Sequence, residues 1–508
     1  MPRNAPFLMT IVTALSRAPK RLRLSLAILV FINLLIPIVL SNFDYSANHL
    51  VLAILLLDIC LFPTLRYMLG ESGLPILPVL CLAFAAQYAL PIFFQEQGVV
   101  LTDGFRYLDD GPVTAALILS IVGVCTLQVA YYSLNYRKAV KLLPHVSLPL
   151  NRRRAEIFCV AVFLLSLLLG RVRLLLSEET YLQFASIIGL LQNQLLVAIG
   201  ILAWIVFSGI GNRLHKILLY TIVGAAALKG FSTTMMESMM TPLAVLFISK
   251  WFHSRRLPSS MLIIIGVLFL FLSPVKKDIR TAIVEDRLAA EKTSTSDRAT
   301  DWVNQAISYW GESFSGRRDL AESTSDASSR TDLIHTFAHI YSLTPSVVPF
   351  QYGDTYSYLA ITWIPRVIWP EKPMANAANN FYAVAYGIST EEGVKSSTFG
   401  VTLMGEGYLN FGVAGVVILM AFLGLVTSLL EDVFAGAQSG AGGQAIFLAT
   451  FVYFLNGIGT SAEMLFGALV QNLVAACILL WWVRTRPTRE RVSRFHFVQP
   501  ASHRSINP

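Results

Sequence analysis

The sequence predicts an all-α fold: a polytopic membrane helix bundle of about twelve transmembrane helices with one large external loop. Three observations predict it. Of 508 residues, 55% are hydrophobic and only 14% are charged, where a soluble domain carries about 25% charged residues. Apolar stretches long enough for a bilayer, about 20 residues each, recur along the chain. Lys and Arg concentrate in alternate short connections, as the positive-inside rule requires. The mean hydropathy of +0.60 agrees. These numbers exclude a disordered chain, a collagen-like chain and a disulfide-built secreted scaffold.

The predicted spans are 24–40, 50–69, 74–94, 113–133, 157–176, 187–207, 214–228, 235–252, 259–273, 403–430, 445–459 and 462–483. The seventh, ninth and eleventh are short. Span one has a basic flank but no small-residue cleavage site, so it reads as an uncleaved anchor. The organisation is then an N-terminal bundle of nine spans (1–274), an external loop (275–400), a C-terminal bundle of three spans (401–484) and a basic tail (485–508).

Sidedness follows from the basic residues. Arg17, Lys20, Arg21 and Arg23 precede the first span. Arg137, Lys138, Lys141 and Arg152–Arg154 lie between spans four and five, and Lys250, Arg255 and Arg256 between eight and nine. Arg484, Arg486, Arg489, Arg491 and Arg494 follow the last. Both termini are expected in the cytoplasm. The net charge of +8 is therefore a topology signal, and nucleic acid is not expected as a partner. All five cysteines fall inside predicted spans, with no CxxC or Cys/His ligand spacing, so they read as small buried hydrophobes.

The loop 275–400 holds 12 Lys and Arg against 15 Asp and Glu, the composition of a soluble segment. Trp302, Val303, Ala306, Ile307 and Trp310 recur at helical spacing, as do Leu333, Ile334, Phe337 and Tyr341. Both stretches predict amphipathic helices lying on the outer surface or packed on the bundle. YSYLAITWIPRVIW (356–369) is apolar but too short to span and broken by Pro365, which predicts a re-entrant or interfacial hairpin. The glycine-rich AGAQSGAGGQ (435–444) lacks a phosphate-loop ending and predicts a flexible cytoplasmic turn.

Candidate chemistry collects on the outer side. Arg171, Arg173, Lys276, Lys277, Arg280, Arg317, Arg318, Arg330, Arg366 and Lys372 form a cationic set. A guanidinium fork suits a phosphate at membrane depth; the alternative is snorkelling to headgroups. Glu406, in GEGYLNFG, starts the tenth span, and ionisable groups inside spans usually face a cavity or partner. Asp354 and Glu371 flank the apolar hairpin. Each of these acids suits a general base, and an ion pair or helix N-terminal charge is the bland alternative. Glu237, Glu463 and Asp58 are weaker candidates. His335 and His339 share a helix face, but HTFAH lacks the Glu of the metalloprotease pattern. A single base, His335, is then the functional option, and no metal site is expected.

Two blocks carry a family likeness: WIPRVIWPEKP (363–373) and TFGVTLMGEGYLNFGVAGVV (398–417). Their order resembles the oligosaccharide repeat-unit polymerases, the O-antigen polymerase or Wzy-type family. The resemblance covers about residues 275–430 at motif level. It implies a membrane glycosyltransferase of GT-C-like architecture in the bacterial inner membrane, with the loop periplasmic. Such enzymes join polyprenyl (undecaprenyl) diphosphate-linked oligosaccharides into surface polysaccharide, without nucleotide sugar, metal or other cofactor. By the same resemblance Arg366 matches the Arg of IPR, Lys372 the Lys of KP and Glu406 the Glu of GE; Asn410, in the same GEGYLNFG block, is a candidate for binding the diphosphate or substrate. A chain-length regulator and a flippase are the partners it implies, besides membrane lipids. The rivals are an O-antigen ligase, a flippase or secondary transporter, and an export scaffold.

Overall fold

The structure, a computed structural model, describes residues 47–69, 73–94, 110–133, 150–172, 176–232, 236–276, 278–279, 295–318, 331–362, 364, 369, 376–395, 398–435 and 440–484. The first predicted span and the basic tail lie outside the described residues. Within them the fold is all-helical, with one isolated backbone bridge, Leu150 to Arg484, and no strand.

The helices are α1 (Ala47–Met68), α2 (Ile76–Phe84), α3 (Asp110–Tyr132), α4 (Arg152–Leu169), α5 (Glu178–Phe207), α6 (Arg213–Ser232), α7 (Met236–Ser254) and α8 (Ser259–Leu272). Two loop helices follow, α9 (Thr295–Phe314) and α10 (Ile334–Leu343), then α11 (Ala377–Ala385), α12 (Leu403–Ala435), α13 (Gly440–Gly457) and α14 (Ala462–Val483). Eleven of the predicted apolar segments are thus helices. Among the described residues, seven helices are long and apolar enough to cross a membrane: Ala47–Met68, Ile76–Phe93, Asp110–Tyr132, Gln183–Phe207, Arg213–Phe231, Leu403–Ala435 and Ala462–Val483.

α5 is the hub. It packs against α4, α6, α7, α13 and α14. Its stretch Leu195–Ala203 is buried on every side, as a helix that is apolar all round must be. Gly200 lets α5 approach Ala445 of α13: a Cβ there would sit 3.3 Å from the Ala445 carbonyl oxygen. Small residues permit this backbone-to-backbone packing. α3 runs along α12 as a second axis, with Gly123 against Met404, Val416 and Met420.

Two expectations are corrected. The glycine-rich stretch is not a flexible turn throughout, because Gly440–Gln444 form the start of α13 and Ala441–Gln444 are buried. Side chains of this size let a helix begin inside the bundle. The span expected at 157–176 ends as a helix at Leu169, with Gly170 at its C-terminal cap.

The long loop is knitted into the bundle. α10 packs on α3 and α12 within the main core. α9 packs on α6 and α8 and closes a smaller core of Phe231, Met236, Met239, Leu272, Val275, Trp302, Ala306 and Tyr309.

A polar tie gathers several helix ends. Arg255, after α7, donates to the Tyr67 hydroxyl and the Gly73 carbonyl, both at 3.0 Å. The Glu431 carboxylate accepts from the Leu74 amide at 3.1 Å and from the Tyr131 hydroxyl. The ends of α1, α3, α7 and the last turns of α12, with the approach to α2, therefore meet in one place. The starts of α7, α12 and α14 lie toward the other end.

Candidate functional site

The site is built from the opening of α12. Residues 401–410 are all buried, and the helix breaks after Asn410, at Phe411 (φ −139°, ψ 20°) and Gly412 (φ 61°, ψ −142°). The Gly412 geometry lies where only glycine is comfortable. The two limbs then close on each other at Gly407 and Gly415: a Cβ on Gly415 would fall 1.9 Å from the Gly407 carbonyl oxygen. GEGYLNFG is therefore a short buried helix followed by a turn that needs its glycines. Glu406 and Asn410, one turn apart, fall on one face.

Both side chains are fully buried and fully used. The Thr355 hydroxyl donates to Glu406 Oε1 at 2.9 Å, and the Ala462 amide donates to Glu406 Oε2 at 2.6 Å. Asn410 Nδ2 donates to Thr355 Oγ1 at 2.7 Å and to the Glu406 carbonyl at 2.9 Å. Asn410 Oδ1 accepts from the Gly353 amide at 2.9 Å. The amides of Gln351 and Tyr352 bond to the carbonyls of Leu409 and Asn410. The turn 351–356 is thus stitched to the broken helix. Ser461, the N-cap of α14, makes no side-chain cap bond; Glu406 supplies the acceptor for the free amide at that helix start.

A second buried set adjoins the first. Glu463 Oε1 accepts from the Ala378 amide at 3.2 Å, and Glu463 Oε2 is buried with no hydrogen-bond partner among the described residues. Asn379 Nδ2 donates to Asn376 Oδ1 and Thr460 Oγ1, both at 2.8 Å, while Asn379 Oδ1 accepts from the Val401 amide at 3.0 Å. On the other side of the WIPRVIWPEKP block, Thr362 packs on Gly467, and Gln471 Nε2 donates to the Thr362 carbonyl at 2.8 Å. The chain flanking that block is anchored to α14 at both ends.

Of the expected site residues, the structure brings Glu406 and Asn410 together. Asp354 stands beside them on the turn Asp354–Tyr356, exposed, immediately before Thr355. His335 is elsewhere, at the start of α10, where Asp332 accepts from its backbone amide at 3.1 Å and pairs with its Nδ1 at 2.7 Å. Burial pulls this imidazole down, but the charge and hydrogen bond of Asp332 outweigh it, so its pKa lies above the ordinary value. Burial lowers the His339 imidazole to about 4, and its ring lies 5.8 Å from that of Tyr386. The two histidines serve separate surroundings.

The cations are dispersed. Arg171 is exposed at the end of α4, and Arg317 is exposed after α9. Arg318 lies 4.4 Å over the Tyr309 ring and 3.7 Å from Glu312. Lys276, half-buried after α8, acts electrostatically on Glu237. Neither Glu406 nor Asn410 touches a cation among the described residues. Arg173, Lys277, Arg280, Arg330, Arg366, Glu371 and Lys372 lie outside the described residues. Sequence reasoning missed Thr355 and Asn379. The signal for Asn379 was the polar pair in ANNFY, set in an otherwise apolar helix.

An aromatic group leans on the same motif. The Tyr408 ring lies 5.2 Å from Tyr341 and 6.2 Å from both Phe337 and Phe350. It joins α10 to the motif helix.

Residues 147–488, more than half of the chain, match a family described as a domain of unknown function, DUF8712. The chain belongs to that family. Comparison with curated proteins and with solved structures gives no match. The matched range begins just before α4 and ends just after α14, so it takes in the hub helix α5, the loop helices and every residue of the buried polar site. α1 to α3 precede it.

Proposed function

We propose that this protein polymerises polyprenyl-diphosphate-linked oligosaccharide repeat units into a surface polysaccharide, as a GT-C-like glycosyltransferase of about twelve spans. It would work in the bacterial inner membrane with both termini cytoplasmic and the long loop outside. The observation that carries the proposal is that the GEGYLNFG helix and the described chain on either side of WIPRVIWPEKP meet on α14. The GEGYLNFG helix caps its first turn, and the chain on both sides of WIPRVIWPEKP is anchored along the next turns.

The chemistry divides among the acids by access. Glu406 is sealed and both its oxygens already hold donors, so it serves as a positioning residue for the turn 351–356 and the start of α14. Asp354, exposed on that turn, is the carboxylate open to a substrate hydroxyl. It takes the proton of the acceptor hydroxyl as that oxygen bonds to the anomeric carbon of the donor sugar. The anomeric carbon–oxygen bond to the diphosphate breaks, and its electron pair leaves on the lipid diphosphate. Arg366 and Lys372, assigned from the motifs, stabilise the charge that develops there. No ATP or metal enters the balance.

Deletion of the gene tests this. Surface glycan reduced to single repeat units supports the polymerase. Full-length polymer left unattached on its carrier lipid would instead indicate a ligase. A transporter is the second reading, because helices broken within a span build transporter sites and α12 breaks at Phe411–Gly412. Loss of all surface glycan, with lipid-linked units held inside, would favour it.

A further inference from the structure

The helix α9 has three faces. Ala299, Trp302, Ala306, Tyr309 and Ser313 turn into the smaller core. Asp297, Asp301, Asn304, Ser308 and Glu312 make a polar face. Between them, on one side only, runs an uncovered apolar wing: Val303 is 38% exposed, Ile307 57% and Phe314 76%. These positions are spaced four and seven apart, one stripe of a helix.

The wing continues a larger apolar surface. Trp310 borders it, stacks near Phe314 at 6.1 Å, and donates its Nε1–H to the Phe271 carbonyl in the last turn of α8 at 3.0 Å. From there the outward face of α8 runs on through Leu270, Val267, Ile264 and Ile263, all exposed. In a membrane-embedded chain that face meets lipid. The Trp302 ring packs edge-on against Phe231, near the end of α6, so α9 lies across the ends of α6 and α8. Exposed Arg317 follows the wing directly.

We propose that α9 is an interfacial anchor, lying in the plane of the membrane with Val303, Ile307 and Phe314 in the boundary between phospholipid headgroups and acyl chains. A helix with one apolar side, one polar side and a Trp at their border adopts this position. The polar face points to water, and Arg317 meets headgroup phosphate. The occupant of the wing is lipid, since the wing is one surface with the lipid-facing side of α8. The anchor also sets depth. Met236 and Met239, at the start of α7, lie in the smaller core that α9 closes. Asn456 at the end of α13 donates to Thr241 of α7 at 3.1 Å, and α13 leads within five residues to α14 and Glu406. The buried polar site is thereby held near headgroup level, where a lipid diphosphate would lie; that last step rests on the polymerase proposal.

Single cysteines at Ile307, Phe314, Asn304 and Ile264, in a variant lacking the five native cysteines, test the anchor. Each carries an environment-sensitive fluorophore in nanodiscs of phosphatidylethanolamine and phosphatidylglycerol with brominated acyl chains. The labels at 307 and 314 are expected to be quenched by shallow bromines at least about threefold more than the label at 304. Equal quenching at 304 and 307, or protection of 307 by a disulfide to a second copy, overturns the proposal. The label at 264 separates the failures: if it too escapes quenching, the membrane embedding of α8 fails, and if it alone is quenched, only the anchor does. Wild-type circular dichroism in the labelled variants confirms that they fold.

Discussion

Glu406 shows how burial changes what a residue can do. An acid in a predicted span is legible as functional from sequence, because ionisable groups there are rare. Its partners are not legible: Thr355 and Ala462 lie 51 and 56 residues away along the chain. With both oxygens occupied, Glu406→Ala leaves a buried hydroxyl and a helix-start amide unpaired, each costing about 1–3 kcal/mol. The expected outcome is a marked loss of thermal stability in detergent, with a smaller loss for Glu406→Gln. Asp354→Asn should leave stability within about 0.5 kcal/mol, as an exposed substitution does, while abolishing chain extension. Asn410 is a candidate from its place in the GEGYLNFG block, and its three hydrogen bonds give it a physical role in holding the turn. His335 makes a different prediction. Its proton is held more tightly folded than unfolded, so its stabilisation is full below the ordinary histidine range, about 6.5, and is lost as pH rises through the raised folded value. His339 has the opposite sign: it stays neutral, and its contribution is lost as pH falls from about 6.5 toward about 4. Thermal melts across pH should show the high-pH loss disappear in Asp332→Asn and the low-pH loss lessen in His339→Gln.

At the scale of elements, hydropathy placed nearly every apolar helix because a bilayer demands about 20 apolar residues and little else. Boundaries and breaks were less legible. The break in α12 depends on the close approach of Gly407 to Gly415, a contact made after the chain has turned. Gly415→Ala should force the limbs apart, since a 1.9 Å contact to a carbonyl oxygen cannot be absorbed. A loss of about 1–3 kcal/mol or more is expected for such overpacking, measured by thermal unfolding. Gly224 and Gly266, with open space around them, are the matched controls and should tolerate Ala. The glycines of Gly440–Gly443 misled the sequence reading because flexibility and close packing call for the same residue. The loop helices α9 and α10 were legible as amphipathic from their 3.6-residue period. What each apolar face covers was not, and the answer differs: α10 joins the main core, whereas α9 closes its own.

At the scale of the molecule, the shared family covers α4 to α14 and names no activity. The all-helical membrane bundle was legible from composition and hydropathy, which predict about twelve spans; among the described residues seven helices are long and apolar enough to cross a membrane. The meeting of the GEGYLNFG helix and the segments flanking WIPRVIWPEKP on α14 was not legible, because it is a property of tertiary packing. That grouping is the physical content added to the family likeness. The most direct test is reconstitution: purified protein in liposomes, given polyprenyl-diphosphate-linked repeat units and no nucleotide or metal. The account predicts a ladder of lengthening lipid-linked glycan, one polyprenyl diphosphate released per added unit, and no ladder with Asp354→Asn. Units that cross the membrane without joining, or no change in glycan length with folded wild-type protein, would contradict it.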